Sequence, residues 1–254
     1  MGKQAKDIWL IFQRYLVIFL RNPVWVVIGV AQPILYLLLF APLLKGIAST
    51  QGFPPGGAYN VFVPGLLIQL GLFSASGVGF GLIAELRAGV IERFRVTPVS
   101  RFALLLGRAL RDIVVLLLQA LILLLLAIPF GLHATPGGLL VMLALVAMIG
   151  LGMSSIAYAV ALAMRSEDSY APLVFTVSLP LLLLSGVLLP LTLAPQWLQT
   201  IADFNPLSYA VTAARDMFNG NAGNPAVLHG LLIMAAIAVV GVVIGARAFS
   251  RAIA

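Results

Sequence analysis

Long apolar runs, bounded by Pro, Gly or charged residues, set the plan of this chain. They fall at 23–44, 61–84, 102–132, 138–164, 171–191 and 225–246. A bilayer core about 30 Å thick needs about 20 apolar helical residues, so each run is long enough to cross. The runs are continuous and do not alternate, which predicts helices and argues against a barrel. The expected fold class is an all-α polytopic membrane protein with six transmembrane helices, forming a single domain over 1–254. Asn22 ahead of Pro23 suits an N-cap for the first span, and Ser100 suits one for the third. Pro33, Pro172, Pro180 and Pro190 predict kinks.

Two segments outside the runs have their own patterns. In 3–21, Asp7, Arg14 and Arg21 recur every seventh residue and form one narrow polar stripe, with Trp9, Phe12, Tyr15, Leu16 and Phe19 around it. That spacing predicts an amphipathic helix lying in a headgroup layer. Charges inside the segment interrupt the apolar stretch that a cleavable signal needs. Segment 192–224 is too polar to span and too apolar for an ordinary loop. It predicts two short helices broken at Asn205-Pro206 and ended by Asn219-Gly220, an outer hairpin that is re-entrant or lies on the outer leaflet, as an anchor or a lid. Trp197, Phe204, Tyr209 and Phe218 suit an interfacial belt there.

Composition sharpens this plan. With 62% hydrophobic and 9% charged residues, the chain is no soluble domain, whose charged share is near a quarter. The net charge of +7 is spread over segments flanking the runs, which favours anionic headgroups over nucleic acid. With the N-terminus inside, the inner segments hold Lys3, Lys6, Arg14, Arg21, Arg87, Arg93, Arg95, Arg101, Arg108, Arg111, Arg165, Arg247 and Arg251; the outer ones hold Lys45 and Arg215. So steep a bias predicts that both termini are cytoplasmic. The absence of cysteine excludes disulfides and a thiol nucleophile.

The densest charge lies in the inner loop 85–101. There Val90, Ile91 and Phe94 form a small apolar knob surrounded by Glu92, Arg93 and Arg95, and Glu85, Thr97 and Pro98 complete the candidate docking set. Apolar contact inside a charged rim is what a soluble partner docks on. Arg108 and Arg111 at the inner end of the third span are expected to snorkel, with Asp112 paired to Arg108 four residues before it. Gln32, Gln69 and Gln119 are the polar residues of interest within spans, suited to interhelical hydrogen bonds or, less directly, to a substrate path. Gly71 with Ala75, Gly77 with Gly81, and Gly241 with Gly245 have the spacing of close helix packing.

Other chemistries fit poorly. Ser74-Ala75-Ser76-Gly77 and His229 invite comparison with an intramembrane serine protease. Yet Ser76 lies about 22 Å from the outer end of its span and His229 about 6 Å from its own, too far apart in depth to share a hydrogen bond. No ionisable residue sits near mid-span, against ion-coupled transport. No Gly-rich phosphate loop ending in Lys-Ser or Lys-Thr is present, so this chain cannot bind ATP in that way; no catalytic residue, metal site or cofactor is expected in it. A pump of this kind needs a partner to hydrolyse ATP.

These features together resemble the permease subunits of ABC-2 type exporters, the class that includes daunorubicin-resistance permeases and the lipo-oligosaccharide and polysaccharide exporters. The resemblance is carried by Arg21-Asn22-Pro23, the loop 89–101, Leu106-Gly107-Arg108, and Asn205-Pro206-Leu207-Ser208-Tyr209 leading to Arg215 and Gly220. It implies a half-transporter in a bacterial inner membrane: two permeases paired with each other, or one with a homologous permease, above two separate ATPase subunits that hold ATP and Mg. The inner loop would be the coupling helix. The cargo it implies is an amphipathic drug-like or lipid-like compound, with a lipid-linked glycan as the alternative.

Overall fold

The apolar runs fold as helices side by side, and the computed structural model describes residues 2–22, 24–47, 57–95, 97–133, 135–188 and 190–252. Among these the chain is helical, without strands. In order come α1 (Lys3–Leu20), α2 (Val24–Ile47), α3 (Gly57–Arg87), α4 (Val90–Arg95), α5 (Arg101–Ala127), α6 (Pro136–Met164), α7 (Glu167–Leu183), α8 (Gln196–Ala202), α9 (Pro206–Phe218) and α10 (Pro225–Ala252). Ser100 caps α5 as expected, its Oγ accepting the Ala103 amide at 3.1 Å. The cap expected at Asn22 adjoins Pro23, which lies outside the described residues.

Among the described residues, four helical stretches have both the length and the hydropathy to cross a bilayer: Gly57–Arg87, Arg101–Phe130, Pro136–Met164 and Pro225–Ala252. α2 adds a shorter apolar stretch, Val27–Phe40. The expected fifth span, 171–191, departs from the plan, because its helix stops at Leu183 and the chain turns through Gly186 at φ +73°. At 17 residues α7 is about 25 Å long. Pro190 kinks no helix; it precedes the 3-10 turn Leu191–Leu193.

α3 forms the centre. Every residue from Ala58 to Leu72 is buried, against α2, α5, α6 and α9. α10 crosses α6 with backbones touching: a Cβ at Gly241 would fall 2.4 Å from the Gly152 carbonyl oxygen. The small pair Gly241 and Gly245 therefore packs helices within one chain. Gly71 meets the Ile149 side chain, whereas Gly77 and Gly81 face open space, so that pair draws no helix close in this chain. Apolar side chains sort into two clusters along the bundle. One lies toward the α9 end around Phe62, Leu66 and Val211, the other around Ile11, Phe94, Tyr158 and Phe249, where α1 and α4 sit.

Candidate functional site

α4 is built at the arginine-rich end. Gly89 takes φ +66°, the left-handed conformation open to glycine, and turns the chain from α3 into α4. Thr97 closes the helix, with its amide and Oγ1 both donating to the Phe94 carbonyl. The sides of α4 then divide. Ile91 and Phe94 are 3% and 8% exposed, in one cluster with Ile11, Tyr15, Leu82, Ile83 and Leu104, and Val90 is half-buried against it. Glu92, Arg93, Thr97 and Pro98 are exposed; the Arg95 side chain lies outside the described ones.

The knob expected to meet a soluble partner thus faces inward. Apolar groups beside the underside of α1 lose more water there than at a solvated loop surface. The Arg14 guanidinium sits 5.0 Å from the Phe94 ring centre, tying α1 to α4.

Next to this lies a charged cluster that sequence reasoning misjudged. Arg108 does not snorkel; it is 2% exposed and donates to both Tyr15 and Glu85, while Tyr15 donates to Glu85 at 2.9 Å. Gly107 makes this possible, since a Cβ there would fall 2.6 Å from Ile11 and push α1 off α5. Asp112 pairs with Arg111 at 2.9 Å, not with Arg108 as expected, and accepts from the Tyr158 hydroxyl. Two carboxylates therefore face two guanidiniums inside the bundle. Burial pushes the Tyr15 hydroxyl up to about 12, with the Arg108 charge opposing and Glu85 reinforcing the shift. The missed signal was the presence of Glu85, Tyr158 and Arg108 toward the same ends of neighbouring spans.

All three span glutamines line one cavity of about 700 Å³ between α1, α2, α3 and α5. Gln119 accepts from Ser74 at 3.3 Å, and its amide lies where a Cβ on Gly29 would have to go. Gln32 donates to Tyr36 at 3.4 Å. Gln69 is buried with neither amide atom partnered among the described residues.

The α9 half of the segment expected to form the outer hairpin is set into the bundle. Trp197 and Phe204 are exposed, but Phe218 is 3% exposed and α9 packs on α3, α6 and α10. Its side chains satisfy the carbonyls left free where α7 stops. Asn205 Nδ2 donates to the Leu181 carbonyl at 2.7 Å, and Arg215 donates to Gly186 and to Val61, each at 2.8 Å. Burial lowers the Arg215 pKa to about 10. A second cavity, about 880 Å³, lies beside Phe218, between Asn60, Leu124, His133 and Asn219.

The described residues assemble no protease from Ser76 and His229. Ser76 Oγ donates to Leu72 in its own helix at 2.7 Å, and His229 is exposed on α10, which packs on α5, α6 and α9.

The sequence pattern of the ABC-2 type transporter family matches residues 6–219, which takes in most of α1, the charged cluster, the glutamine cavity and α9. The chain belongs to the ABC-2 type transporter family. This ABC-2 permease is 28% identical over 214 residues to the daunorubicin resistance ABC transporter permease protein DrrB1 of Streptomyces coeruleorubidus, covering 83% of this chain and 74% of the relative. It is 26% identical over 216 residues to the putative transport permease ycf38 of Cyanophora paradoxa, covering 84% and 74%. A probable doxorubicin resistance ABC transporter permease protein, DrrC of Mycobacterium tuberculosis, is 24% identical over 209 residues, covering 82% and 75%. The chain is a multi-pass membrane protein and the permease component of an ABC transporter system, which implies an ATP-binding partner.

Proposed function

We propose that this permease exports an amphipathic, drug-like or lipid-like compound from the cytoplasm or inner leaflet, using ATP hydrolysed by a separate subunit. Relatives named for daunorubicin and doxorubicin resistance support the cargo class. In this reading α2, α3, α5, α6, α7 and α10 make six crossings and both termini are cytoplasmic, consistent with arginines gathered around α1 and α4. α7 is thin for a crossing, and the bonds from Asn205 and Arg215 to the chain at its end offset the backbone left open. Two permeases and two ATPase subunits would make the working unit, with ATP and Mg on the ATPase.

The observation that carries the proposal is the division of α4. Its exposed face offers Glu92 and Arg93 to the solvent, while Ile91 and Phe94 root the helix in α1 and α3. A push on the outer face would reach the spans through packed side chains. The ATPase would therefore dock on charge and on Thr97 and Pro98, with Phe94 as the root beneath. The test is a charge exchange, Glu92→Lys with Arg93→Glu, measuring co-purification of the ATPase and drug-stimulated hydrolysis in membranes. Exposed charges mostly set association rate and register, so slower association and weak coupling are expected. Normal association together with normal coupling would remove α4 as the docking surface.

A further inference from the structure

The cavity between α1, α2, α3 and α5 holds a polar group that the fold itself does not use. Gln69 is 1% exposed, and neither its Nε2 nor its Oε1 has a hydrogen-bond partner among the described residues. Buried amides are ordinarily paired, and an unpaired one costs stability. Gln32 and Gln119 on the facing helices add further neutral donors and acceptors, and Leu70, Phe73 and Val115 supply apolar wall. The one cation lining the cavity among the described residues, Arg111, is already matched by Asp112. Ile18 on α1 and Ile28 on α2, 53% and 55% exposed, also line it and give it an apolar rim.

Each feature narrows the ligand. A free phosphate or ammonium would meet no unmatched opposite charge there and would pay full desolvation. A pure hydrocarbon would leave Gln69 unpaired. An uncharged head that both donates and accepts would pair the carboxamide, and an attached chain would leave through the apolar rim into lipid. We propose that this cavity binds an amphiphile with an uncharged amide- or hydroxyl-bearing head, read by Gln69, as cargo entering from the surrounding leaflet. The Gln69 amide atoms are closed off in this state, so binding requires a rotation of the flexible side chain to bring them to an arriving head. The site deepens the export reading above and rests on it only for the cargo's later release.

The test uses the assembled transporter, permease with ATPase, in nanodiscs. The probe is a dodecanamide carrying a diazirine in its chain, and the control is the same diazirine alkane without the head. Labelled peptides are mapped by mass spectrometry. The amide is expected to label the segments holding Leu70, Phe73 and Val115 about tenfold more than the alkane, the effect of one satisfied hydrogen-bonded head. Gln69→Leu keeps the bulk and should abolish that preference while raising the thermal midpoint, because it removes an unpaired group. Equal labelling by the two probes, or an unchanged preference in Gln69→Leu, overturns the site. A midpoint that falls in Gln69→Leu, with both probes losing label alike, marks Gln69 as merely structural and also overturns it. ATP turnover should lower amide labelling; labelling that ignores turnover identifies a resident lipid and overturns the cargo assignment. Labelling does not require α4 docking. If the Glu92 and Arg93 exchange leaves docking normal while Gln69 still governs labelling, the α4 reading falls and the site stands.

Discussion

Replacing Phe94 by Ala separates a root from a docking contact. Phe94 is 8% exposed within the cluster of Ile11, Tyr15 and Ile91, and Arg14 lies over its ring. Truncating a buried Phe costs about 3–5 kcal/mol. Losing the cation–π contact adds about 0.5–1 kcal/mol. α4 has six residues, far below the length at which a helix holds without tertiary support, so the loss should appear as local opening. Taking about 3 kcal/mol, amide exchange at Arg93 and Thr97, whose amides donate to Gly89 and Phe94, should quicken more than a hundredfold. Exchange read by mass spectrometry in micelles is the assay. Phe94→Leu should restore most of the protection, and Glu92→Lys should leave it unchanged. ATPase association should follow protection, falling in Phe94→Ala and recovering in Phe94→Leu. Unchanged exchange in Phe94→Ala would refute the inward packing. Normal exchange with lost association in Phe94→Leu would show that the ring itself touches the partner.

Arg108→Ala should destabilise by about 1–3 kcal/mol, since Glu85, partly exposed and still holding Tyr15, loses its charged hydrogen-bond partner. Arg108→Met with Glu85→Leu should recover most of that, as read by thermal unfolding in detergent. Tyr15 should not ionise below about pH 10 in the folded protein. Its folded pKa, raised to about 12, lies above the ordinary 10.0, so its share of stability is present below pH 10 and lost as pH rises from 10 toward 12. Ultraviolet titration against Tyr15→Phe checks this. Arg215→Lys should cost about 1–3 kcal/mol, because a lysine cannot reach the Val61 and Gly186 carbonyls together as the guanidinium does. Loosened protection at the end of α7 would report the effect.

The sequence alone was enough for the all-helical class and for most of the long helices, though not for the end of α7, because continuous apolar runs leave the backbone no partner but itself. It was enough for the Ser100 cap and the Asn205-Pro206 break, both local chemistry. The small pair on α10 was legible for the same reason that it packs, since a missing side chain shows in the sequence. Glu92 and Arg93 were legible as exposed groups because unpaired charge stays hydrated.

Direction and partnership were decided in three dimensions. A six-residue helix with Ile91 and Phe94 on one side can turn that side to a partner or to its own bundle, and only the position of α1 decides between them. Arg108 reads as a snorkelling residue until Gly107 brings Tyr15 within reach. The early stop of α7 follows from distant groups, since Asn205 and Arg215 must arrive from the hairpin to take its carbonyls. Gln32, Gln69 and Gln119 stand far apart along the chain, so only the packing of α2, α3 and α5 could place them around one cavity and leave Gln69 unpaired.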